Sequence, residues 1–289
     1  MQRLEDKIRS GVTVLDGATG TMLSHYLSPG ELPDLLLLKD PSRISELHKA
    51  YLDAGSDIIE TDSFGSNAIR LGVKVGDPMV KKLNLKAAEV AVEAAGGTAY
   101  VAGSIGPLGK IVEPFGEISH DEALRTFMEQ AGALASGGVD LMIIETMADL
   151  QEAKIAIAAV KEVCDLPIFS SMSFDESLHT MMGVRPADAA GELHEAGAFA
   201  VGANCGVGSD IAFEVMKEMT EGSPGLIYFV QPNAGMPKLF ENRTVYEETP
   251  EYMADYAKKF VNLGVMIIGA CCGSTPEHIR AIKGAISPA

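Results

Sequence analysis

One alternation runs through the whole chain and constrains its fold more than any other feature. Short apolar or β-branched runs recur at 13–15, 57–60, 99–102, 141–145, 167–172, 200–203, 226–230 and 266–268, each followed by a longer amphipathic stretch. Near-continuous apolarity over so few residues suits parallel strands buried on both faces. Helices are expected over 41–54, 79–95, 119–136, 149–163, 186–195, 210–219, 249–263 and 276–285. Asp40-Pro41, Asp77-Pro78, Thr249-Pro250 and Thr275-Pro276 each place a capping side chain before a proline in the first turn. Ser119 followed by Glu122 is a capping-box pattern. Gly55, Gly138, Gly197 and Gly264 stand between a helix and the next strand, where a left-handed residue ends the helix.

Eight strand–helix units in 289 residues predict a single-domain (β/α)8 TIM barrel over 1–289, with its core at about 10–285. An open doubly wound sheet is the competitor. It would be unusually wide, and no G-x-G-x-x-G follows the first strand. No linker or charge block divides the chain, and 72–76 and 235–248 read as irregular loops.

Charge and cysteine content exclude several classes. Lys+Arg number 23 and Asp+Glu 40, a net charge of −17, which repels phosphate backbones and anionic lipid. Neither nucleic acid nor a membrane surface is expected as a partner. The four cysteines are too sparse for a disulfide scaffold. The charged opening has no apolar signal-peptide core, and no run reaches the ~18 apolar residues of a membrane span. A reducing, cytoplasmic setting is expected.

Polar residues crowd at the C-terminal ends of the strands: Asp16-Gly17, Glu60-Thr61-Asp62, Ser104, Glu145-Thr146, Ser170, Ser171 and Ser173, Asn204-Cys205, Gln231-Pro232-Asn233 and Cys271-Cys272. In a barrel these ends form the active face. Serine and threonine are ordinary where a strand leaves the core; three cysteines and several carboxylates are not. Cys205 follows the sixth strand, and Cys271 and Cys272 follow the eighth, so one strand separates them and the thiols are expected within about 5 Å of one another. Zinc with an open fourth position, inert buried thiols and a vicinal redox pair all fit that spacing. Asp16 fits either a ligand contact or an Asx turn. Glu145 ends an apolar strand and needs a cationic partner, whether a ligand or a nearby Lys or Arg. Glu60 and Asp62 are read as organising the rim. Cys164 is a bystander, and His48, His120, His194 and His278 read as surface residues of helices. Met181-Met182 reads as core or lid.

Gly269-Ala270-Cys271-Cys272-Gly273-Ser274-Thr275-Pro276-Glu277-His278-Ile279 resembles the C-terminal signature of the zinc-dependent homocysteine S-methyltransferase family. Asp16-Gly17-Ala18-Thr19-Gly20-Thr21, Glu60 through Asn67, Gly103-Ser104-Ile105-Gly106-Pro107 and Gly202-Ala203-Asn204-Cys205 resemble its other blocks, in the same order. Gln231-Pro232-Asn233-Ala234-Gly235 is most similar to the homocysteine-binding module of cobalamin-dependent methionine synthase. The resemblance implies Zn2+ on Cys205, Cys271 and Cys272, with the Asn233 amide oxygen as a further ligand when substrate is absent. It implies that Asp16 and Glu145 receive the ammonium of L-homocysteine. The Gly17, Thr19, Gly103 and Ser104 region is then expected to receive the carboxylate. The reaction implied is methyl transfer to the homocysteine thiol, giving methionine, with a corrinoid protein or cobalamin module as donor. A betaine or sulfonium donor, another small thiol acceptor and a non-catalytic homocysteine-binding module are the alternatives. The stretch Met181-Met182-Gly183-Val184-Arg185-Pro186 departs from the methionine-synthase pattern and keeps the acceptor open.

Overall fold

A computed structural model describes residues 2–28, 32–240 and 243–287. All eight expected strands form: β1 (Thr13–Val14), β2 (Ile58–Glu60), β3 (Tyr100–Ile105), β4 (Leu141–Met147), β5 (Ile168–Met172), β6 (Ala200–Asn204), β7 (Tyr228–Gln231) and β8 (Ile267–Ile268). The eight expected helices follow them: α1 (Pro41–Ala54), α2 (Pro78–Ala95), α3 (His120–Ser136), α4 (Leu150–Val163), α5 (Pro186–Ala196), α6 (Ser209–Gly222), α7 (Pro250–Asn262) and α8 (Pro276–Ile286). The strands pair in parallel, in the order β1-β8-β7-β6-β5-β4-β3-β2. Between the two end strands, the Asp57 N–H donates to the Val14 carbonyl at 2.7 Å and the Val14 N–H to Asp57 Oδ2 at 2.9 Å. These bonds close the sheet into the (β/α)8 barrel that the alternation predicts.

Two apolar layers hold it. The larger lies between strands and helices; the smaller fills the barrel with Leu15, Ile58, Tyr100, Ala102, Leu141, Ile143, Phe169, Ala200, Phe229 and Ile267. Gly202 is required inside: a Cβ there would lie 1.9 Å from the Phe229 carbonyl oxygen. The floor is a helix, Leu4–Ser10, that the charged opening of the sequence did not announce. Only Leu4 and Ile8 of that helix are buried, two residues one turn apart, too brief a period to read against five charged neighbours. Ile8 is fully buried, so Ile8→Ala is expected to cost roughly 2–5 kcal/mol in denaturant unfolding without altering metal content.

Other departures from expectation have local causes. The stretch 235–248 holds a hairpin, Lys238–Phe240 paired antiparallel with Arg243–Val245 (241–242 lie outside the described residues). Its first strand is exposed throughout, so no buried face imposes an alternation. Asp77, Ser119 and Thr249 cap as expected, and Thr275 forms a capping box with His278. Asp40 does not cap α1; its carboxylate is occupied by Ser42 and Arg43. His120 and His194 are exposed, but His48 and His278 are buried. Burial lowers the His48 pKa to about 4, so the imidazole is neutral and behaves as part of the core. Residues 19–26 and 33–39 form short helical turns, from which Thr19, Thr21, Pro33 and Asp34 line one side of the barrel mouth. No described helix is long and apolar enough to cross a membrane.

Candidate metal and substrate site

Every second residue of a strand points into the barrel. Above the apolar layers, the next inward positions are Glu60, Ser104, Glu145, Ser171, Asn204 and Gln231, all buried. They form a hydrogen-bonded ring. Gln231 Nε2 donates to Glu60 Oε1 at 2.7 Å, and the Glu60 and Glu145 carboxyls act on each other across the ring, each shifting the other's pKa. Ser104 Oγ donates to Glu145 Oε1 at 2.6 Å, Asn204 Nδ2 to Glu145 Oε2 at 3.1 Å, and Ser171 Oγ to Asn204 Oδ1 at 2.8 Å. Asp16 joins from β1, its Oδ2 accepting the Glu60 N–H at 2.9 Å while Oδ1 stays buried without a partner.

Among the described residues no Lys, Arg or His forms an ion pair with this group. Burial therefore dominates: it pushes the carboxyls of Asp16, Glu60 and Glu145 above their usual range, and their mutual repulsion raises Asp16 and Glu60 further. The buried carboxyls offer an incoming cation the partner that no described residue supplies.

The thiols lie beside the ring. Sγ atoms of Cys205, Cys271 and Cys272 all fall within 4.8 Å of one another, and the Cys205–Cys272 separation is 3.9 Å. Three sulfurs bound tetrahedrally at about 2.3 Å from zinc stand about 3.8 Å apart, so the triad fits that ion. Asn233 Oδ1 is buried and has no partner, and the Cys271 N–H bonds the preceding Pro232 carbonyl at 2.8 Å. Backbone bonds therefore hold the Asn233 loop against Cys271 and Cys272, and its unpaired amide oxygen is a candidate further ligand. Without a cation, hydrogen bonds from Cys205 and Cys271 hold Cys272 down at about 3, while the bond to Cys205 pushes Cys271 up. Cys164 lies apart, at the end of α4.

A cavity of about 400 Å3 joins part of the ring to the thiols, lined by Gly17, Thr19, Glu60, Ser104, Glu145 and the three cysteines among others; Asp16 and Asn233 lie behind its lining. The structure does not bring Gly103 to it: 102 and 104 point inward, so 103 faces out against Met142 and Leu134. The Ser104 N–H is already given to Thr61 Oγ1 at 2.9 Å, and the Ala18 N–H to Ser274 Oγ at 3.0 Å.

The sequence profile for homocysteine S-methyltransferase matches residues 13–286. This chain belongs to the homocysteine S-methyltransferase family. The chain is thus an S-methyltransferase by family. Its fold resembles the homocysteine methyltransferase MmuM from Escherichia coli. The metallated form matches with a TM-score of 0.82 at 23% identity, over 98% of this chain and 99% of that one. The apo form matches at 0.75, again at 23% identity and over 98% of each chain. The carboxyl transferase domain of Rhizobium etli pyruvate carboxylase shares only the barrel, at TM-score 0.54 and 14% identity over 97% of this chain and 48% of that one.

Two participants were not read from sequence. Asn204 had been placed on the rim without a role. Tyr246, beyond the hairpin, lays its ring on Gly273, next to Cys272, and helps lower that thiol's pKa. Gly273 has φ +82, and a Cβ there would sit 2.1 Å from the tyrosine ring. Only glycine fits. Gly273→Ala is expected to displace Tyr246 and lower zinc occupancy after dialysis against a weak chelator, with the barrel's circular dichroism unchanged. Met181 is 82% exposed, so the Met181-Met182 pair is not core.

Proposed function

We propose that this chain transfers a methyl group to the thiol of L-homocysteine, giving methionine, with zinc held by Cys205, Cys271 and Cys272. The observation that carries the reading is three thiols clustered beside buried carboxyls that have no cation of their own. A bound zinc would supply thiol activation, keeping the acceptor sulfur ionised at neutral pH. Asp16, Glu60 and Glu145 receive the acceptor's ammonium, and unpartnered oxygens of Asp16 and Gln231 accept its N–H groups. The carboxylate lies on the side lined by Gly17, Thr19, Gly20 and Thr21. Asn233 Oδ1 holds the fourth metal position until the acceptor arrives. Three cysteines gathered for a metal and not paired with one another support a reducing, cytoplasmic setting.

For the donor we propose a methyl-corrinoid carried by a partner. The cavity of about 400 Å3 is larger than the acceptor amino acid needs, which leaves its outer side open for the donor's methyl group to approach. A small sulfonium or betaine donor is the second reading. It is favoured by Asp62, whose Oδ2 is buried and unpartnered, and by the aromatic Phe64, both of which line the cavity. The test is zinc analysis together with methionine formation from free methylcobalamin, a sulfonium donor and betaine in turn. Methionine from none of them, by protein carrying stoichiometric zinc, overturns the assignment.

Acceptor binding is expected to release more than one proton at pH 7, one from the thiol and the rest from carboxyls displaced by the ammonium. Calorimetry in buffers of different ionisation enthalpy measures it. A release of one or none removes the carboxyls from the role given to them.

A further inference from the structure

The strand β4 is irregular where it matters. Its register against β5 slips between Ile144 and Met147, so Glu145 and Thr146 form a bulge. Thr146 sits at φ +59, a left-handed conformation that a β-branched residue rarely adopts. On the far side of β5, Cys205 is also left-handed, at φ +57. Among the described residues these are two of three non-glycine positions with positive φ, and both touch the site. Such conformations persist only where surrounding bonds over-determine them.

One side chain supplies those bonds. Asn204 is 2% exposed and spends its whole amide capacity across two neighbouring strands. Its Oδ1 accepts from the Thr146 N–H at 2.7 Å and from Ser171 Oγ at 2.8 Å. Its Nδ2 donates to Thr146 Oγ1 at 2.7 Å and to Glu145 Oε2 at 3.1 Å. The next residue in the chain is the thiol-bearing Cys205, whose N–H is fixed on the Gln231 carbonyl at 3.0 Å.

We infer that Asn204 is a positioning residue that sets the spacing between the acceptor's ammonium anchor, the Glu145 carboxylate, and the Cys205 sulfur that would hold the zinc. The inference rests on the homocysteine reading above. One planar amide fixes the bulge that aims Glu145, and its own backbone fixes the loop that aims Cys205. Rotating or removing that amide frees the carboxylate without removing it. The loss therefore falls on acceptors that carry an ammonium and spares those that do not.

The experiment compares zinc-loaded wild type, Asn204→Ala and Asn204→Asp by calorimetric titration with L-homocysteine and with 4-mercaptobutanoate, the same thiol lacking the amino group. Zinc content is measured alongside. Wild type is expected to prefer homocysteine. Both variants are expected to retain zinc and lose roughly 10- to 100-fold in homocysteine affinity, with 4-mercaptobutanoate binding within about twofold of wild type. Thr146→Gly keeps Asn204 but removes the hydroxyl bond and the strained side chain; it is expected to show the same loss of preference in weaker form, and serves if the Asn204 variants do not fold. Preference for homocysteine retained in zinc-loaded variants overturns the inference while leaving the functional reading intact. Equal loss for both thiols overturns it too, because that is general damage. A wild type that binds neither thiol overturns both readings.

Discussion

Cys272→Ala is expected to abolish stoichiometric zinc binding and to cut methyl transfer to homocysteine by at least about 30-fold at pH 7. The floor on that figure comes from ionisation alone. A free thiol with a pKa of about 8.5 is only about 3% thiolate at pH 7, so losing the metal's activation forfeits the rest. The two remaining sulfurs and Asn233 leave the metal one thiolate short, because all three Sγ atoms share a single site within 4.8 Å of one another. The pH profile separates this cause from simple damage. Residual activity in the variant should climb between pH 7 and 8.5 as free homocysteine ionises, where wild type stays flat. A variant with full zinc content and full activity would remove the metal from the mechanism.

Glu145→Gln is expected to raise the KM for homocysteine by roughly 10- to 150-fold, with little change in kcat. A hydrogen bond to a charged group contributes about 1.5–3 kcal/mol, and an anchor used equally in ground and transition states appears in KM. The same change should not destabilise the empty protein above neutral pH. Burial raises the Glu145 carboxyl above its usual range, so the folded state binds a proton more tightly than the unfolded chain. Stability is then lost as pH rises from the ordinary carboxylate range, about 4, towards the raised folded value. Glutamine has no such proton to lose. Melting curves from pH 5 to 8 should show wild type falling with pH and the variant falling less. A steeper decline in the variant would mean that Glu145 is already paired with a cation in the empty protein.

The barrel could be read from the sequence because the signals were local and redundant. The strand at Leu141–Met147 is apolar on both faces until Glu145, and proline opens five of the eight main helices. The metal cluster was legible for a related reason: strand order alone brings the ends of β6 and β8 together, whatever the side chains do. The carboxylate ring was only half legible. Glu60 stands out as a carboxylate at a strand end, but nothing near it or Gln231 in the sequence tells that the two bond each other across the barrel. Asn204 was hidden for the same reason, since its partners lie 33 and more residues away. The fully exposed hairpin strand and the floor helix left too little periodicity to detect.

That floor has a consequence for traffic. Leu4 and Ile8 seal the lower end of the barrel, and the Tyr100 hydroxyl is tied to the Gln2 carbonyl at 2.6 Å, so nothing passes through the bottom. The pocket is a cul-de-sac. Whatever occupies its deep end must arrive first and leave last, and a reactant that settles in the mouth acts as a stopper until it departs. A two-reactant chemistry housed here inherits a queue from the architecture itself, before any rate constant is assigned.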